Sequence, residues 1–278
     1  MPTLHVDSPI FMTRTSSIRL GNADLSRMGL GTNRLRNTNE NVAFIRAAVD
    51  AGVEMIDTAH LYTGGESEKA IGRALSSGVS APRSPNSSVV AATKGGYGDT
   101  GRGKPEILRR EIEQSLASLR VERIALYYLH RVDPETPIEE SLGAIKEYVD
   151  RGAIERVGVS KVDIPLIERA RKVVPIAAVQ NEYNLDERRY DEVVDYCARE
   201  KIVFVPYYPL GADPSRAVKE TADRHHATPQ QVMLAWLLKR SPAMLPIPGT
   251  LSLEHLKANL GALSIELSDR EFDYIASG

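Results

Sequence analysis

Residues 124–160 read IALYYLHRVDPETPIEESLGAIKEYVDRGAIERVGVS and contain a complete strand–helix–strand pattern. Ile124–Leu129 and Ile154–Val159 are strand candidates. Most such candidates in this chain are apolar without polar alternation, as expected of strands that are covered on both faces of a parallel sheet. The apolar residues between these two candidates recur at steps of three and four and so line one helix face: Ile138, Leu142, Ile145 and Val149. The stretch predicts two parallel strands joined by a helix, which ends near Gly152.

The same pattern recurs along the chain. Six further apolar runs predict strands, at Met28–Gly31, Met55–Asp57, Val89–Thr93, Ala177–Gln180, Ile202–Pro206 and Met244–Ile247. Each of the eight strands is followed by a helical pattern, and eight such units in about 250 residues are typical of a TIM barrel. We therefore predict an α/β fold, a (β/α)₈ TIM barrel, with a doubly wound sheet as the alternative that the pattern leaves open.

Turn and capping residues add detail to this prediction. Thr136, Thr228 and Ser268 each precede a helical pattern and predict helix N-caps. Ser16–Leu30 contains two apolar runs around a Gly-Asn turn, which predicts a β-hairpin that caps the barrel floor. Ser77–Ser88 is rich in Ser, Pro and Gly and predicts a surface loop. Since no stretch suggests a domain boundary, residues 1–278 are predicted to form one domain.

Composition excludes several classes of protein. The chain has 278 residues, 42% of them hydrophobic, which is enough to bury a core. Its 35 basic and 37 acidic side chains give no electrostatic reason to expect nucleic acid or an anionic membrane as a partner. The single cysteine, Cys197, excludes an internal disulfide and a multi-cysteine zinc site, and we predict no metal site. Without a long apolar run or a signal-peptide pattern, the sequence predicts a cytoplasmic protein.

Two glycine motifs overlap after the third predicted strand. Gly96–Gly101 matches the dinucleotide-binding pattern, and Gly98–Lys104 is close to a P-loop. The first motif needs a helix that begins at its glycines, whereas the helical pattern here begins only around Pro105. The second needs Ser or Thr after its lysine, where Pro105 stands. We interpret the segment as a flexible glycine loop at the top of the barrel.

Four polar side chains stand at or just beyond predicted strand ends, where barrel enzymes place their catalytic groups: Asp57, Tyr62, Lys94 and His130. Each alone has an ordinary structural explanation. Together they suit carbonyl reduction, which needs a proton donor for the developing alkoxide. An ammonium beside a tyrosine favours the phenolate and so lowers the pKa of the phenol, and a carboxylate would hold that ammonium in place. A histidine N–H could orient the carbonyl oxygen.

Several stretches in this order resemble the aldo-keto reductase family. They are residues 57–62 (DTAHLY), Ser67-Glu68, Ile71-Gly72, Lys94, Leu129-His130, residues 158–160 (GVS), Gln180 and residues 246–250 (PIPGT). The resemblance extends from Arg19 to Ser268 and implies a barrel with an N-terminal hairpin. It further implies an enzyme that reduces an aldehyde or ketone, a small-molecule carbonyl substrate, with hydride from NADPH.

The resemblance also implies a role for individual residues. Tyr62 would be the general acid, Lys94 its activator, Asp57 the partner of the lysine, and His130 the group that orients the substrate. Ser160 and Gln180 would bind the nicotinamide carboxamide, with Tyr207 stacked on the ring. The remaining residues expected at the cofactor are Gly31, Thr32, Asn33, Lys161, Leu210, Gly211, Gly249, Thr250, Ser252, His255 and Asn259; Asp57 is also expected to face it.

The chain departs from the family pattern at several positions. Lys161 stands where asparagine is usual, and we expect its ammonium to be recruited by the cofactor or the substrate. His255 stands where many members carry an arginine for the 2′-phosphate, and Gly249 is not a lysine, so NADH is possible as a weaker alternative to NADPH. Tyr208 replaces a frequent serine. The chain is short for the family, which predicts abbreviated loops and a more open pocket.

Two other functions stay open at this stage. One is a cofactor-sensing regulatory subunit on the same barrel, since potassium-channel β-subunits resemble this family. The other is a barrel hydrolase that would use Glu66 or Glu68, although acidic residues at a helix start commonly serve the helix dipole.

Overall fold

The computed structural model describes residues 17–76, 89–98 and 100–278. The predicted loop Ser77–Ser88 lies outside the described residues. An antiparallel hairpin, β1 (Ser17–Leu20) and β2 (Ala23–Ser26), turns at Gly21-Asn22 as predicted. Seven parallel strands follow in chain order around one sheet: β3 (Leu30–Gly31), β4 (Met55–Asp57), β5 (Val90–Gly95), β6 (Leu126–Leu129), β7 (Val157–Ser160), β8 (Ile176–Gln180) and β9 (Val203–Phe204).

The predicted eighth strand, Met244–Ile247, is not a regular strand. Met244 makes one isolated bridge to Phe204 of β9. On its other side the segment meets β3, where the Gly29 N–H donates to Pro246 O at 2.9 Å. Pro248 accepts from the Gly31 N–H in the same way, at 3.2 Å. Neither proline has an N–H with which to complete the ladder, so the segment closes the ring without forming a regular strand. The (β/α)₈ prediction is confirmed, with this irregular eighth member.

Ten helices are present among the described residues. They are α1 (Asn39–Asp50), α2 (Glu66–Leu75), α3 (Pro105–Leu119), α4 (Ile138–Asp150), α5 (Ile164–Arg171), α6 (Asp191–Glu200), α7 (Arg216–Arg224), α8 (Pro229–Arg240), α9 (Leu253–Gly261) and α10 (Asp269–Ala276). Short 3₁₀ turns occupy Tyr62–Gly65 and Ala262–Ser264. None of these helices has the length and apolar character needed to cross a bilayer.

Two of the three predicted N-caps are confirmed. Thr228 and Ser268 each accept a hydrogen bond from the third helical residue and form complete capping boxes. The prediction for Thr136 is wrong. Pro137 takes the N-cap position of α4, and the Thr136 hydroxyl instead donates to Asp133 Oδ2 at 2.9 Å. Asp133 competes for the hydroxyl because it is also buried and needs donors.

The hairpin closes the N-terminal end of the barrel. Leu20 and Leu25 are buried and pack into the barrel interior with side chains from the strands, among them Met55, Tyr128 and Leu245. The predicted position of the hairpin on the barrel floor is therefore confirmed. With the floor filled by apolar side chains, the carboxyl ends of the strands are left to form the functional face.

Candidate active site

A cavity of about 440 Å³ opens at the carboxyl ends of the strands. Twelve of the residues expected at the site line it: Gly31, Thr32, Asn33, Asp57, Tyr62, His130, Ser160, Lys161, Gln180, Tyr207, Leu210 and Gly249. Lys94 lies directly behind the wall and is fully buried. The structure thus brings most of the residues expected at the site to one place.

Asp57 and Lys94 form a buried ion pair. Asp57 ends β4 and is paired in register with Ala92 of β5, two residues before Lys94, so both side chains project from neighbouring strands. The Lys94 Nζ lies 2.6 Å from Asp57 Oδ1, and neither side chain is more than 3% exposed. A buried ammonium and a buried carboxylate stabilise each other, whereas either alone would be costly.

The ammonium of Lys94 uses its three protons on three acceptors. Besides Asp57, it donates to the carbonyl of Thr58 at 2.7 Å and to Tyr62 Oη at 3.2 Å. Tyr62 is placed by the 3₁₀ turn that follows β4, where its N–H donates to Ala59 O. Since the phenol oxygen accepts from the lysine, its own proton is free to point into the cavity.

The electrostatics of this group differ in one respect from the expectation. The charge of Lys94 lowers the pKa of Tyr62, as predicted, but burial outweighs it and the net pKa is raised above the ordinary value. Burial lowers the pKa of Lys94, yet Asp57 and Tyr62 outweigh burial and the net pKa is raised. Lys94 therefore stays charged and Tyr62 stays protonated at neutral pH.

His130 lies on the other side of Tyr62. Its backbone N–H donates to Gly95 O at 2.8 Å at the end of β6, and its ring meets that of Tyr62 edge to face with centroids 5.9 Å apart. Burial, followed by the charges of Lys94 and Lys161, lowers the pKa of His130 to about 2. The imidazole is therefore neutral, and its Nδ1 is buried without a partner among the described residues. Nε2 is the nitrogen left to serve a molecule in the cavity.

Ser160 and Gln180 are direct neighbours at the ends of β7 and β8. Both are buried, with 2% of their surface exposed. The Gln180 side-chain amide donates to Asp57 Oδ2 at 2.8 Å, which leaves its carbonyl oxygen available. Lys161 follows Ser160, and its backbone N–H donates to Gln180 O at 3.1 Å.

The segment after β9 supplies an aromatic wall. The Tyr207 N–H donates to Asn181 O, which ties this residue to the end of β8. Tyr208 packs against the Tyr207 ring at 5.7 Å and is 61% exposed. The Gly211 N–H donates to Tyr208 O in a tight turn, so Leu210 lines the cavity and Gly211 stands just outside it.

Five of the expected cofactor residues belong to the segment that leads into α9, and only Gly249 lines the cavity itself. The Thr250 hydroxyl accepts from the Ser252 N–H at 3.0 Å, and Ser252 caps α9 by accepting from the His255 N–H. His255 is exposed in the first turn of α9, whereas Asn259 is 7% exposed. The structure therefore places Gly249 on the cavity wall and the other four outside it.

Gly31 and Thr32, at the end of β3, make contacts that stabilise the barrel in addition to lining the cavity. The Thr32 hydroxyl donates to the backbone oxygen of Asp57 at 2.7 Å and is buried. At Gly31 a Cβ would lie 2.7 Å from Ile247 O, so only glycine lets the closing segment approach β3. Asn33 then begins the rim of the cavity.

A comparison with known proteins identifies the family. The model of the aldo/keto reductase family matches residues 27–214 and 212–277, which is most of the chain. The chain belongs to the aldo/keto reductase family. It is 32% identical to an uncharacterized oxidoreductase of Schizosaccharomyces pombe over 95% of this chain and 90% of that protein. It is also 32% identical to a probable aldo-keto reductase of Glycine max over 89% of this chain and 84% of that protein.

Solved structures of aldo/keto reductases share the fold. A thermostable aldo-keto reductase in complex with the inhibitor epalrestat has a TM-score of 0.84 and 31% identity, covering 94% of this chain and 98% of its own. An aldo/keto reductase of Klebsiella pneumoniae, in complex with NADP and acetate, has a TM-score of 0.80 and 28% identity, covering 94% of each chain. These relatives share the architecture and are similar in length to this chain, so they do not support the expectation that the chain is short for the family.

Sequence reasoning missed part of the site of this aldo/keto reductase. Seven further residues line the cavity: Arg34, Leu61, Tyr97, Tyr208, Pro209, Ile247 and Pro248. Tyr97 is the most consequential, because its ring lies 4.7 Å from that of His130. The glycine loop is no dinucleotide fingerprint, since α3 begins only at Pro105. Its tyrosine nevertheless reaches the site, and its place three residues after Lys94 was the available signal.

The carboxylates considered for a hydrolase lie elsewhere in this aldo/keto reductase. Neither Glu66 nor Glu68 lines the cavity. Glu68 is fully buried and accepts from the Thr93 hydroxyl at 2.6 Å, and burial raises its pKa. A pair of carboxylates facing the cavity, as glycoside hydrolysis needs, is not formed by these residues.

Proposed function

We propose that this aldo/keto reductase reduces an aldehyde or a ketone to an alcohol with NADPH as the hydride donor. The observation that carries the proposal is the arrangement of Lys94, Asp57 and Tyr62. The buried ammonium is held by a carboxylate, and it donates to a phenol whose own proton is free. Such an arrangement supplies one proton at a defined place in a cavity.

The residues around the cavity suit a nicotinamide cofactor. Ser160 offers a hydroxyl and Gln180 a carbonyl oxygen side by side, which matches the donor and acceptor atoms of a carboxamide. The Tyr207 ring lines the same wall and could stack on a flat ring. When bound there, the reduced cofactor supplies the hydride.

Side chains of the protein then orient and protonate the carbonyl oxygen of the substrate. The neutral His130 orients that oxygen through Nε2–H, and Tyr62 gives its proton to the oxygen as negative charge develops there. Lys94 stabilises the phenolate that forms, and Asp57 keeps the ammonium in position. Because His130 is neutral, Tyr62 is the acid of this site.

NADPH is the cofactor that we favour, with NADH as a weaker alternative. Aldo-keto reductases of Klebsiella pneumoniae have been crystallised with NADP and with NADPH. In this chain the N-terminus of α9, with Ser252 as its cap and His255 in its first turn, could receive the 2′-phosphate. The cytoplasmic location and the lack of a nucleic-acid partner stay predictions from composition.

The test is a panel of aldehydes and ketones followed by the loss of NADPH absorbance, with Tyr62→Phe beside the wild type. We expect turnover by the wild type and a loss of about 10²–10⁴ in the chemical step for the variant. The dissociation constant for NADPH should stay the same, because only a hydroxyl aimed at the substrate is removed. Binding of NADPH without turnover of any compound would instead favour the cofactor-sensing subunit.

A further inference from the structure

Lys161 adopts a backbone conformation that lysine does not favour. Its φ is +58°, in the left-handed region where glycine and asparagine are common and a longer side chain is strained. The residue follows β7 directly and lines the active-site cavity. Arg120 and Lys201 have a similar φ at helix ends, so the strain alone assigns no role; what distinguishes Lys161 is that its side chain lines the cavity.

The ammonium of Lys161 lies near two aromatic rings of that cavity. Its Nζ is 5.4 Å from the centroid of the Tyr97 ring and 5.8 Å from that of Tyr207. Tyr97 in turn packs on His130, the residue proposed to hold the carbonyl oxygen. The aromatic rings exclude water from one side of the ammonium, which strengthens its attraction for an anion.

No carboxylate neutralises this ammonium among the described residues. Within that part of the chain, Asp57 is the only acidic side chain on the cavity wall, and both of its oxygens are already bonded, to Lys94 and Gln180. The positive charge of Lys161 even reaches His130, where it helps to lower the pKa of the imidazole. Among the described residues, the cavity wall therefore carries a positive charge that no acidic side chain balances, beside the reaction centre.

We propose that Lys161 binds an anionic group of the substrate, so that this reductase acts on carbonyl compounds that carry a carboxylate or a phosphate. This inference rests on the proposed carbonyl reduction at the same site. An ammonium is a point charge that accepts either anion, and the carbonyl would stand between Tyr62 and His130 while the anion meets Lys161. The lysine would then select the substrate and hold it in register.

The experiment compares 4-carboxybenzaldehyde with its methyl ester, which lacks the negative charge and carries one additional methyl group. We expect wild-type kcat/KM to be about tenfold higher for the acid, as one desolvated charge-assisted contact provides. Lys161→Met should remove that advantage, so that the ratio of kcat/KM for the acid to kcat/KM for the ester falls about tenfold, to near one. Lys161→Arg should retain most of it. The same comparison with glyceraldehyde 3-phosphate and glyceraldehyde tells whether phosphate or carboxylate is the anion selected.

Arg34 provides the control, since it is the second cation on the cavity wall, is exposed, and has no acidic partner among the described residues. Arg34→Met should keep the preference for the acid; a preference that follows Arg34 and ignores Lys161 overturns the inference. Equal losses on acid and ester, together with weaker NADPH binding in Lys161→Met, would assign the lysine to the cofactor and also overturn it.

A binding measurement separates this inference from the proposed function. With NADPH present, calorimetry should show that 4-(hydroxymethyl)benzoate binds the wild type about tenfold more tightly than it binds Lys161→Met. A wild type that reduces no carbonyl compound would refute the proposed function, while this titration still decides whether Lys161 binds anions. Equal affinities in the two proteins would refute the anion site.

Discussion

Gln180 Nε2 donates a hydrogen bond of 2.8 Å to Asp57 Oδ2. The two residues end β8 and β4, so the bond crosses the top of the barrel interior. It occupies the carboxylate oxygen that Lys94 leaves free, and it places an amide expected at the nicotinamide in direct contact with the ion pair. The parts of the site proposed to bind cofactor and to supply the proton are therefore one connected network.

Lys94 and Tyr62 are expected to act as a unit. Lys94→Met should reduce the single-turnover rate by about as much as Tyr62→Phe, because the ammonium that stabilises the phenolate is lost. The single-turnover rate of the double variant should lie within about threefold of the rate of the slower single variant. Rapid-mixing measurements of NADPH oxidation on the three variants check this. Losses that multiply would show two independent roles.

Lys94→Met should also destabilise the fold by about 3–5 kcal/mol, because it leaves Asp57 charged and buried without its cation. Adding Asp57→Asn should recover most of this loss. The matched control is Lys146→Met, which breaks an exposed pair with Asp150 and should cost about 0.5 kcal/mol or less. Urea unfolding of the four proteins at pH 7 gives the comparison. Equal losses from the buried and the exposed pair would contradict the expected cost of burial.

His130 should make the fold sensitive to mild acid. The pKa of His130 is lowered to about 2 in the folded protein, whereas an unfolded histidine has a pKa of about 6.5. Between those two pKa values only the unfolded chain binds the proton. The contribution of the neutral His130 to the free energy of unfolding is therefore complete well above pH 6.5 and decreases as the pH drops, by about 2 kcal/mol at pH 5. His130→Asn should remove this contribution, so that the free energy of unfolding of the variant decreases less between pH 8 and pH 5 than that of the wild type. An unchanged pH dependence in the variant would show that His130 is not held neutral.

His255 is the position at which the cofactor preference should be adjustable. It is exposed in the first turn of α9, next to the cap formed by Ser252. His255→Arg should tighten NADPH binding roughly tenfold, because a guanidinium can pair with both the charge and the oxygens of a 2′-phosphate. NADH lacks that group, and its dissociation constant should not move. Fluorescence titrations with both cofactors check this, and an equal gain for NADH would mean that the arginine acts elsewhere.

Most of the barrel was predictable from the sequence, because buried parallel strands consist mainly of consecutive apolar residues. The exception is instructive. Met244–Ile247 is such a run, but ladder formation depends on N–H groups, and Pro246 and Pro248 lack them. Thr136 shows a similar limit, since a local capping pattern cannot reveal that Asp133 competes for the same hydroxyl. In both cases the deciding partner is a backbone or side-chain hydrogen bond, which apolar periodicity does not report.

The candidate site was predictable where side chains stand at strand ends. Asp57, Lys94, Ser160 and Gln180 lie within β4, β5, β7 and β8, whose register fixes them. Tyr97 lies in a loop after β5, and its place three residues after Lys94 puts it near the site without showing that its ring turns back onto His130. The net rise in the pKa of Tyr62 was equally out of reach, because it depends on how deeply the phenol is buried.

The ring of the barrel is closed by residues far apart in the chain. The buried Arg27 guanidinium donates to the backbone oxygens of Leu238, Ser241 and Met244, which lie more than 200 residues further on. Contacts of such separation are slow to form, and during synthesis they must await the last quarter of the polypeptide. Gly249, on the cavity wall, belongs to that late segment. The pocket is therefore incomplete while only β3 to β9 have been synthesised. A ligand can stabilise the fold only after the segment that contains Gly249 has joined them.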